Sequence, residues 1–346
     1  MRPCAFLILL LNKKHKSIQK NTVLKALAVF SGGLDSMLAS QLIRNQGIEV
    51  MAIFFETPFF SSHRAKISAA SLDLPIKVFD ISERHLEIVK NPKYGHGENM
   101  NPCIDCHALM FRIAGEMLHE EKAQFIISGE VLGQRPMSQN RKALSIVANE
   151  SGMKGLLLRP LSAKLLSMTI PEQEGWVDRE ELMGFSGRSR KPQMELARKY
   201  HIDDYPSPAG GCLLTDIVFS RRLKDLLKEN MNPSKNEIEL LKTGRHFRLD
   251  NHTKIIVGRN QAENQVICSL SQATDLIFDT LSVPGPTVLL SGKQTRALEK
   301  LAAMIAVSYS DAKDTLETEI VIQKGDSETT MKIKGKKKEE FKKFMI

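Results

Sequence analysis

From Val23 onward the chain alternates short apolar runs with longer stretches in which apolar residues recur every three or four positions. Short runs rich in β-branched and aromatic residues read as buried strands, and the longer 3.6-residue periodicity reads as helix. Four strands are predicted on this basis: "LKALAVF" (Leu24–Phe30), "EVMAIFF" (Glu49–Phe55), "PIKVFDI" (Pro75–Ile81) and "AQFIISGE" (Ala123–Glu130). A helix carrying Met37, Leu38 and Leu42 separates the first two. Strands spaced by helices of about ten residues or more predict an α/β fold, a parallel sheet with helices on both faces. Ligands of such sheets sit beyond the carboxyl ends of the strands.

The pattern changes farther along. Pro171 to Lys228 is helical and charged, with loops at "GFSGRSRKP" and "YPSPAGGC", and Glu229–Glu237 ("ENMNPSKNE") is polar and turn-rich, as a linker would be. Beyond it come β-like runs, "TKIIVG" and "PTVLL", a helical stretch over Ala297–Ser308 and the β-like "EIVIQKGDSETTMKIKG". The predicted organisation is an N-terminal extension (1–22), an α/β domain (23–168), a helical adaptor carrying Cys212 (169–230) and a small C-terminal α+β domain (238–346).

Composition narrows the setting. A length of 346 residues suggests more than one domain, and 42% hydrophobic with 26% charged residues is ordinary for a soluble protein. Five cysteines, unevenly spaced, do not make a disulfide framework and point to a reducing, cytoplasmic setting with metal or redox use. The formal charge of +9 is terminal: the first 34 residues contribute +6, Lys332–Ile346 contribute +5, and everything between sums to −2. Solvated lysine tails and nucleic-acid contact both account for it. The apolar run in "CAFLILLLNKKHK" is far shorter than the roughly 20 residues that span a bilayer, and its basic cluster follows rather than leads, so no membrane segment is expected.

The first candidate chemistry is "SGGLDS", Ser31–Ser36, between the first strand and first helix. Gly32 and Gly33 lack Cβ atoms, so their N–H groups can turn toward phosphate oxygens, with the positive end of the helix and the Ser31 and Ser36 hydroxyls beside them. Asp35 suits an anion site only if a Mg²⁺ ion bridges it to the phosphates. The bland alternative is a glycine turn with an N-cap serine. The motif resembles the PP-loop of the ATP pyrophosphatase superfamily, whose fold is adenine nucleotide alpha hydrolase-like. That resemblance implies ATP cleaved between its α and β phosphates, AMP placed on a substrate oxygen, and pyrophosphate cradled by the loop. It also implies contacts to adenine and ribose from the end of the fourth strand, where Gly129, Glu130, Gln134 and Arg135 lie.

Three cysteines bear on the substrate. "NPCIDCHALMF" holds Cys103 and Cys106 as C-x-x-C, and "SPAGGCLLTD" holds Cys212. The segments are similar to those of tRNA thiouridylases and 4-thiouridine synthetase-like sulfurtransferases, with cysteines at the positions of Cys106 and Cys212. The 2-thiouridylases usually carry aspartate where this chain has Cys103. C-x-x-C plus one distant cysteine instead resembles the thiolases that carry a [4Fe–4S] cluster, which implies Cys103, Cys106 and Cys212 as ligands with one iron open to sulfide. A persulfide on one cysteine resolved by another is the covalent alternative. Zinc with His107 as fourth ligand, and three unrelated buried cysteines, are further alternatives. Cys4 and Cys268 read as small buried hydrophobes.

Basic residues supply the last candidates. Arg188, Arg190 and Lys191 cluster in "GRSRKPQ", either as phosphate contacts for a nucleic acid or as a solvated loop. "HFRLDNHTKIIVGRNQAENQ" and "VPGPTVLL" resemble the NFACT-R module, which implies RNA contact by Arg259 and the lysine-rich end. The expectation as a whole is ATP-dependent thiolation of tRNA uridine, with tRNA and a sulfur donor (sulfide or a persulfide-carrying protein) as partners and a homodimer allowed. A PP-loop enzyme acting on a small molecule and a non-enzymatic RNA-binding protein are the rivals.

Overall fold

The computed structural model describes residues 23–207, 212–312 and 316–346. The predicted N-terminal extension and Cys4 lie outside these residues, as does most of the glycine-containing turn just before Cys212. The chain divides into two compact units, the first ending at Cys212 and the second running from Leu213 to Ile346. That division falls inside the segment assigned from sequence to a helical adaptor. Among the described residues no helix is long and apolar enough to cross a membrane.

The first unit is built on a five-stranded parallel sheet in the order β3-β2-β1-β4-β5. Its strands are β1 (Lys25–Val29), β2 (Glu49–Glu56), β3 (Ile76–Asp80), β4 (Phe125–Ser128) and β5 (Leu157–Leu158). The first four are those the hydrophobic runs predict. The fifth has two residues, too short to leave a periodic signal. Because side chains alternate along a strand, the central strands bury both faces. Ala26, Ala28, Ala52 and Ile127 pack with Met37 and Leu38 of α1 (Leu34–Arg44), Ala65 and Ala69 of α2 (His63–Ala70) and Leu196 of α7 (Lys191–Lys199). Leu27, Ile53 and Ile126 face Leu109 and Ala114 of α4 (Cys103–Met117) and Val147 of α5 (Arg141–Glu150). Helices α3 (Ser82–Lys90) and α6 (Ile170–Gln173) complete the unit. Each fully buried aliphatic or phenyl side chain contributes about 2 kcal/mol, so the sheet rigidly fixes the loops at its carboxyl end.

The second unit holds an antiparallel sheet of β6 (Arg245–Asp250), β7 (Thr253–Val257), β8 (Leu276–Thr280), β9 (Val288–Gly292), β10 (Glu317–Lys324) and β11 (Ser327–Lys334). Their order is β11-β10-β8-β9-β7-β6. One face packs Phe247, Val257, Phe278 and Leu290 against Ala302, Ile305 and Ala306 of α11 (Arg296–Tyr309). The other packs Ile256 and Leu289 against Ile267 of α10 (Gln261–Leu270). Helix α8 (Ile217–Glu229) belongs to this unit, because Arg222 donates to the carbonyls of Leu241 (2.7 Å) and Gly244 (2.9 Å). The stretch read as a linker instead starts α9 (Lys235–Leu240), where Ser234 and Glu237 form a capping box. The lysine-rich end is not a solvated tail either. Phe341 is buried in the core, and Met345 bridges to Phe247. Charge density hid Phe341, which is buried, and Phe344, which packs partly buried against the same core.

Candidate active site

The loop between β1 and α1 is held in a form that only glycine permits at two places. Gly32 has φ +73°, and a Cβ there would lie 2.6 Å from the Ala65 Cα. Gly129, at the end of β4, packs so closely on α1 that a Cβ would lie 2.5 Å from the Ser36 amide nitrogen. Gly33 is the N-cap of α1 and offers no side-chain acceptor, which leaves the first-turn amides for an external anion. The serines brace this loop. Ser36 Oγ donates to the Gly33 carbonyl (2.8 Å), Ser31 Oγ reaches Ser36 Oγ (3.4 Å), and Ser68 Oγ donates to the Gly32 carbonyl (2.8 Å).

Asp35 stands in the first turn of α1 and is largely buried. Gln134 Nε2 donates to its Oδ2 at 2.8 Å, while Oδ1 has no partner among the described residues. Burial pushes the Asp35 carboxyl pKa up, opposed by Gln134, Arg190, Gln193 and Arg135. Arg190, in turn, has a buried Nε with no partner, and Gln193 has a buried unpartnered Oε1 while its Nε2 reaches Gln134 Oε1 (3.4 Å). Two buried polar atoms of opposite charge left unsatisfied around a glycine loop are costly unless something fills the gap. A magnesium-bound polyphosphate has the right chemistry. Its metal would take Asp35 Oδ1, and its oxygens would take the loop amides and Arg190. The basic trio thus divides: Arg188 and Lys191 are exposed, and Arg190 turns toward Asp35. Arg135 is exposed and acts on both Asp35 and Cys103.

The cysteines gather at the start of α4. Cys103 opens this helix and Cys106 follows three residues on, so both share its first turn. Cys106 is buried; burial raises its thiol pKa well above the ordinary value, and Cys212 and then Cys103 raise it further. Cys103 is half-buried, its thiol pKa raised by burial and lowered by Arg135. Cys212, a hundred residues away in sequence, is therefore in electrostatic reach of the C-x-x-C. Even so, among the described residues no group of three His, Cys, Asp or Glu side chains is arranged to hold a metal ion.

Two residues the sequence did not single out, His85 and Arg159, complete the site. His85 of α3 lies with Nε2 3.2 Å from Cys106 Sγ, between the rings of Phe59 and Phe60, and burial lowers its pKa to about 4. A neutral imidazole accepts the Cys106 S–H. Glu130 is buried, with Oε2 2.7 Å from Arg159 Nε and Oε1 2.7 Å from His107 Nδ1. Arg159 and His107 hold its pKa down to about 2 despite burial. His85 and Arg159 sit in ordinary amphipathic and apolar contexts, and only packing reveals them. Two other candidates belong to the second unit. Arg259 is paired with Glu263, Nε to Oε1 at 2.8 Å. Cys268, expected to be buried, is exposed on α10 because it falls on that helix's solvent side.

Comparison with known proteins assigns a class to each part. Residues 21–165 match the model of the family described as thiamine biosynthesis protein (ThiI), and residues 244–345 match the NFACT protein RNA binding domain. The first segment is therefore similar to the ThiI family, and the second to the NFACT RNA-binding module. The chain is 25% identical over 215 residues to the tRNA-specific 2-thiouridylase MnmA of Karelsulcia muelleri, covering 58% of this chain and 53% of that protein. It is 30% identical over 148 residues to a probable tRNA sulfurtransferase of Staphylococcus epidermidis, covering 40% of this chain and 34% of the relative. The chain thus spans about half the length of the first relative and a third of the second. Among solved structures, a predicted subunit of tRNA methyltransferase from Methanocaldococcus jannaschii covers 51% of this chain and 76% of that one. Its identity is 16% and its TM-score 0.34, too low to bear on the fold.

Proposed function

We propose that this protein thiolates uridine in tRNA at the expense of ATP. The observation that carries the reading is one site holding both an unsatisfied Asp35–Arg190 pair around a glycine loop and a C-x-x-C within reach of Cys212. The names of the relatives agree with it. Asp35 Oδ1 would hold Mg²⁺, which neutralises phosphate charge when bound. The loop amides and Arg190 stabilise the charge that develops on the leaving pyrophosphate. A uridine carbonyl oxygen attacks the α-phosphorus; the α–β bridging P–O bond breaks, and the ring N–H proton passes to water.

The sulfur is carried by the thiols of Cys212 and Cys106, the latter 3.2 Å from His85 Nε2. Cys212, half-exposed, receives a sulfane sulfur from a donor protein's persulfide. That sulfur attacks the activated carbon, the C–O bond breaks and AMP leaves. Cys106 then attacks the Cys212 sulfur, releasing the thiocarbonyl base and leaving a Cys106–Cys212 disulfide that a dithiol reductant restores. The exposed Arg188 and Lys191, together with the lysine-rich second unit, would meet RNA phosphates. The target base must be reached outside its stack.

The test is mass spectrometry of nucleosides from tRNA incubated with the protein, ATP and a persulfide donor, with pyrophosphate release followed in parallel. Cys106→Ala and Cys212→Ala should abolish thiouridine while sparing ATP binding. Cys103→Ala should keep at least about a tenth of the activity, and iron chelation should change nothing. Loss of activity in all three variants together with about four bound irons would replace the persulfide route by the cluster. No thiolated nucleoside at all would overturn the reading.

A further inference from the structure

We infer that Gln193 is a positioning residue for the metal-holding carboxylate, acting on Asp35 through Gln134; the inference rests on the reading of Asp35 as the magnesium ligand. Gln193 lies on α7, on one helical stripe with Leu196 and Ala197, both part of the first unit's core. It is 1% exposed, on a stripe where the helical period calls for an apolar side chain. Its Nε2 reaches Gln134 Oε1 at 3.4 Å, and its Oε1 has no partner among the described residues. A buried carboxamide satisfied at one end only is costly to the fold, and a use for it has to be sought in the site it faces.

The direction of the chain follows from its far end. Gln134 Nε2 donates to Asp35 Oδ2 at 2.8 Å. A carboxylate that holds a metal ion is ionised and can only accept hydrogen bonds, so Gln134 must turn its nitrogen to Asp35 and its oxygen away. That oxygen then needs a donor, and Gln193 Nε2 supplies it. With Oδ2 held, Oδ1 is the oxygen left for the cation, and it is the one without a partner. The backbone sets the two glutamines side by side. The Gly187 N–H donates to the Leu132 carbonyl at 2.8 Å, which ties the segment entering α7 to the loop after β4. Outer partners of this kind orient a metal ligand without touching the metal.

The test uses the full chain with Mn²⁺ as the probe cation, read by electron paramagnetic resonance in the presence of a non-hydrolysable ATP analogue. Calorimetry gives the affinity for the analogue without any divalent cation, and thermal melting shows which variants fold. Gln193→Met keeps the length of the side chain and removes its hydrogen bonds. It should weaken Mn²⁺ binding about 10-fold, with metal-free analogue affinity within about twofold of wild type. Gln134→Met should show a similar loss, and the double variant no more than the larger single loss, because the two amides act in series. Should Gln193→Met not fold, Gln193→Asn, whose shorter amide cannot reach Gln134, reads the same quantities. Mn²⁺ affinity within about twofold of wild type in the folded Gln193 variant overturns the role of Gln193 and leaves the nucleotide site standing. Additive losses in the double variant, or an equal fall in metal-free analogue affinity, overturn it as well. Absence of analogue-dependent Mn²⁺ binding in wild type would instead remove the reading of Asp35, and the inference with it.

Discussion

At the scale of single residues, the site spends stability on function, and Asp35 shows the sign. Its carboxyl pKa is raised above the ordinary value of 3.8, mainly by burial. An acid whose folded pKa is raised stabilises the fold least when ionised: stability falls as pH climbs from the ordinary value through the raised one and stays low above it. Asp35→Asn removes that buried charge and keeps the shape. The variant should melt at a higher temperature than wild type at pH 7.5. Its magnesium-dependent pyrophosphate release should fall at least about 100-fold. Calorimetry and a pyrophosphate assay on one preparation check both, and wild-type turnover would remove Asp35 from the mechanism. Glu130 runs the other way, held ionised by Arg159 and His107, and its burial serves orientation rather than charge storage.

At the scale of elements, the decisive contact is β4 running into the start of α1. Gly129 there would press a Cβ into the Ser36 amide at 2.5 Å, and Gly32 would press one into Ala65 at 2.6 Å with φ +73° besides. Backbone cannot yield as a flexible side chain does. Gly33 differs: its φ is −84°, and its Cβ would meet only Ser31 Oγ at 3.4 Å. Gly32→Ala and Gly129→Ala should each cost more than about 2 kcal/mol of stability and lose ATP-analogue binding at least tenfold. Gly33→Ala should melt within a few degrees of wild type. Denaturant titration of the three variants orders them, and equal costs would show that the loop is not wedged as described. The glycines were legible in the sequence as a tight turn at a helix start, suited to phosphate. Their individual roles were not, because sequence records the missing Cβ and not the neighbour that would have met it.

At the scale of the molecule, two units with separate sheets and cores make the division between Cys212 and Leu213 a testable boundary. A chain ending at Cys212 should fold and bind the ATP analogue. It should bind tRNA more weakly than the full chain and with a shallower dependence on salt, since fewer phosphates are neutralised. Ending the chain at Pro233 should behave worse. It keeps α8, whose buried Phe219, Leu223 and Leu226 would lose the rest of the second unit. Light scattering and filter binding across a salt series separate these cases. An unchanged salt slope in the shorter chain would deny the second unit its RNA role.

Sequence by itself determined the parallel sheet, the glycine loop at the start of α1, the C-x-x-C and the α+β character of the second unit, because each depends on local periodicity or on residue types close along the chain. Tertiary structure alone decided which polar groups meet. It brought Cys212 to Cys106 across about a hundred residues, split Arg190 from Arg188 and Lys191, and set His85 on the Cys106 thiol. It also tied His107 through Glu130 to Arg159, and folded the lysine-rich end back through Phe341. The physical reason is one of range. Backbone preference and amphipathic period act over a few residues, whereas burial of a charge and the partner that makes it tolerable depend on segments that only the packed sheet brings together.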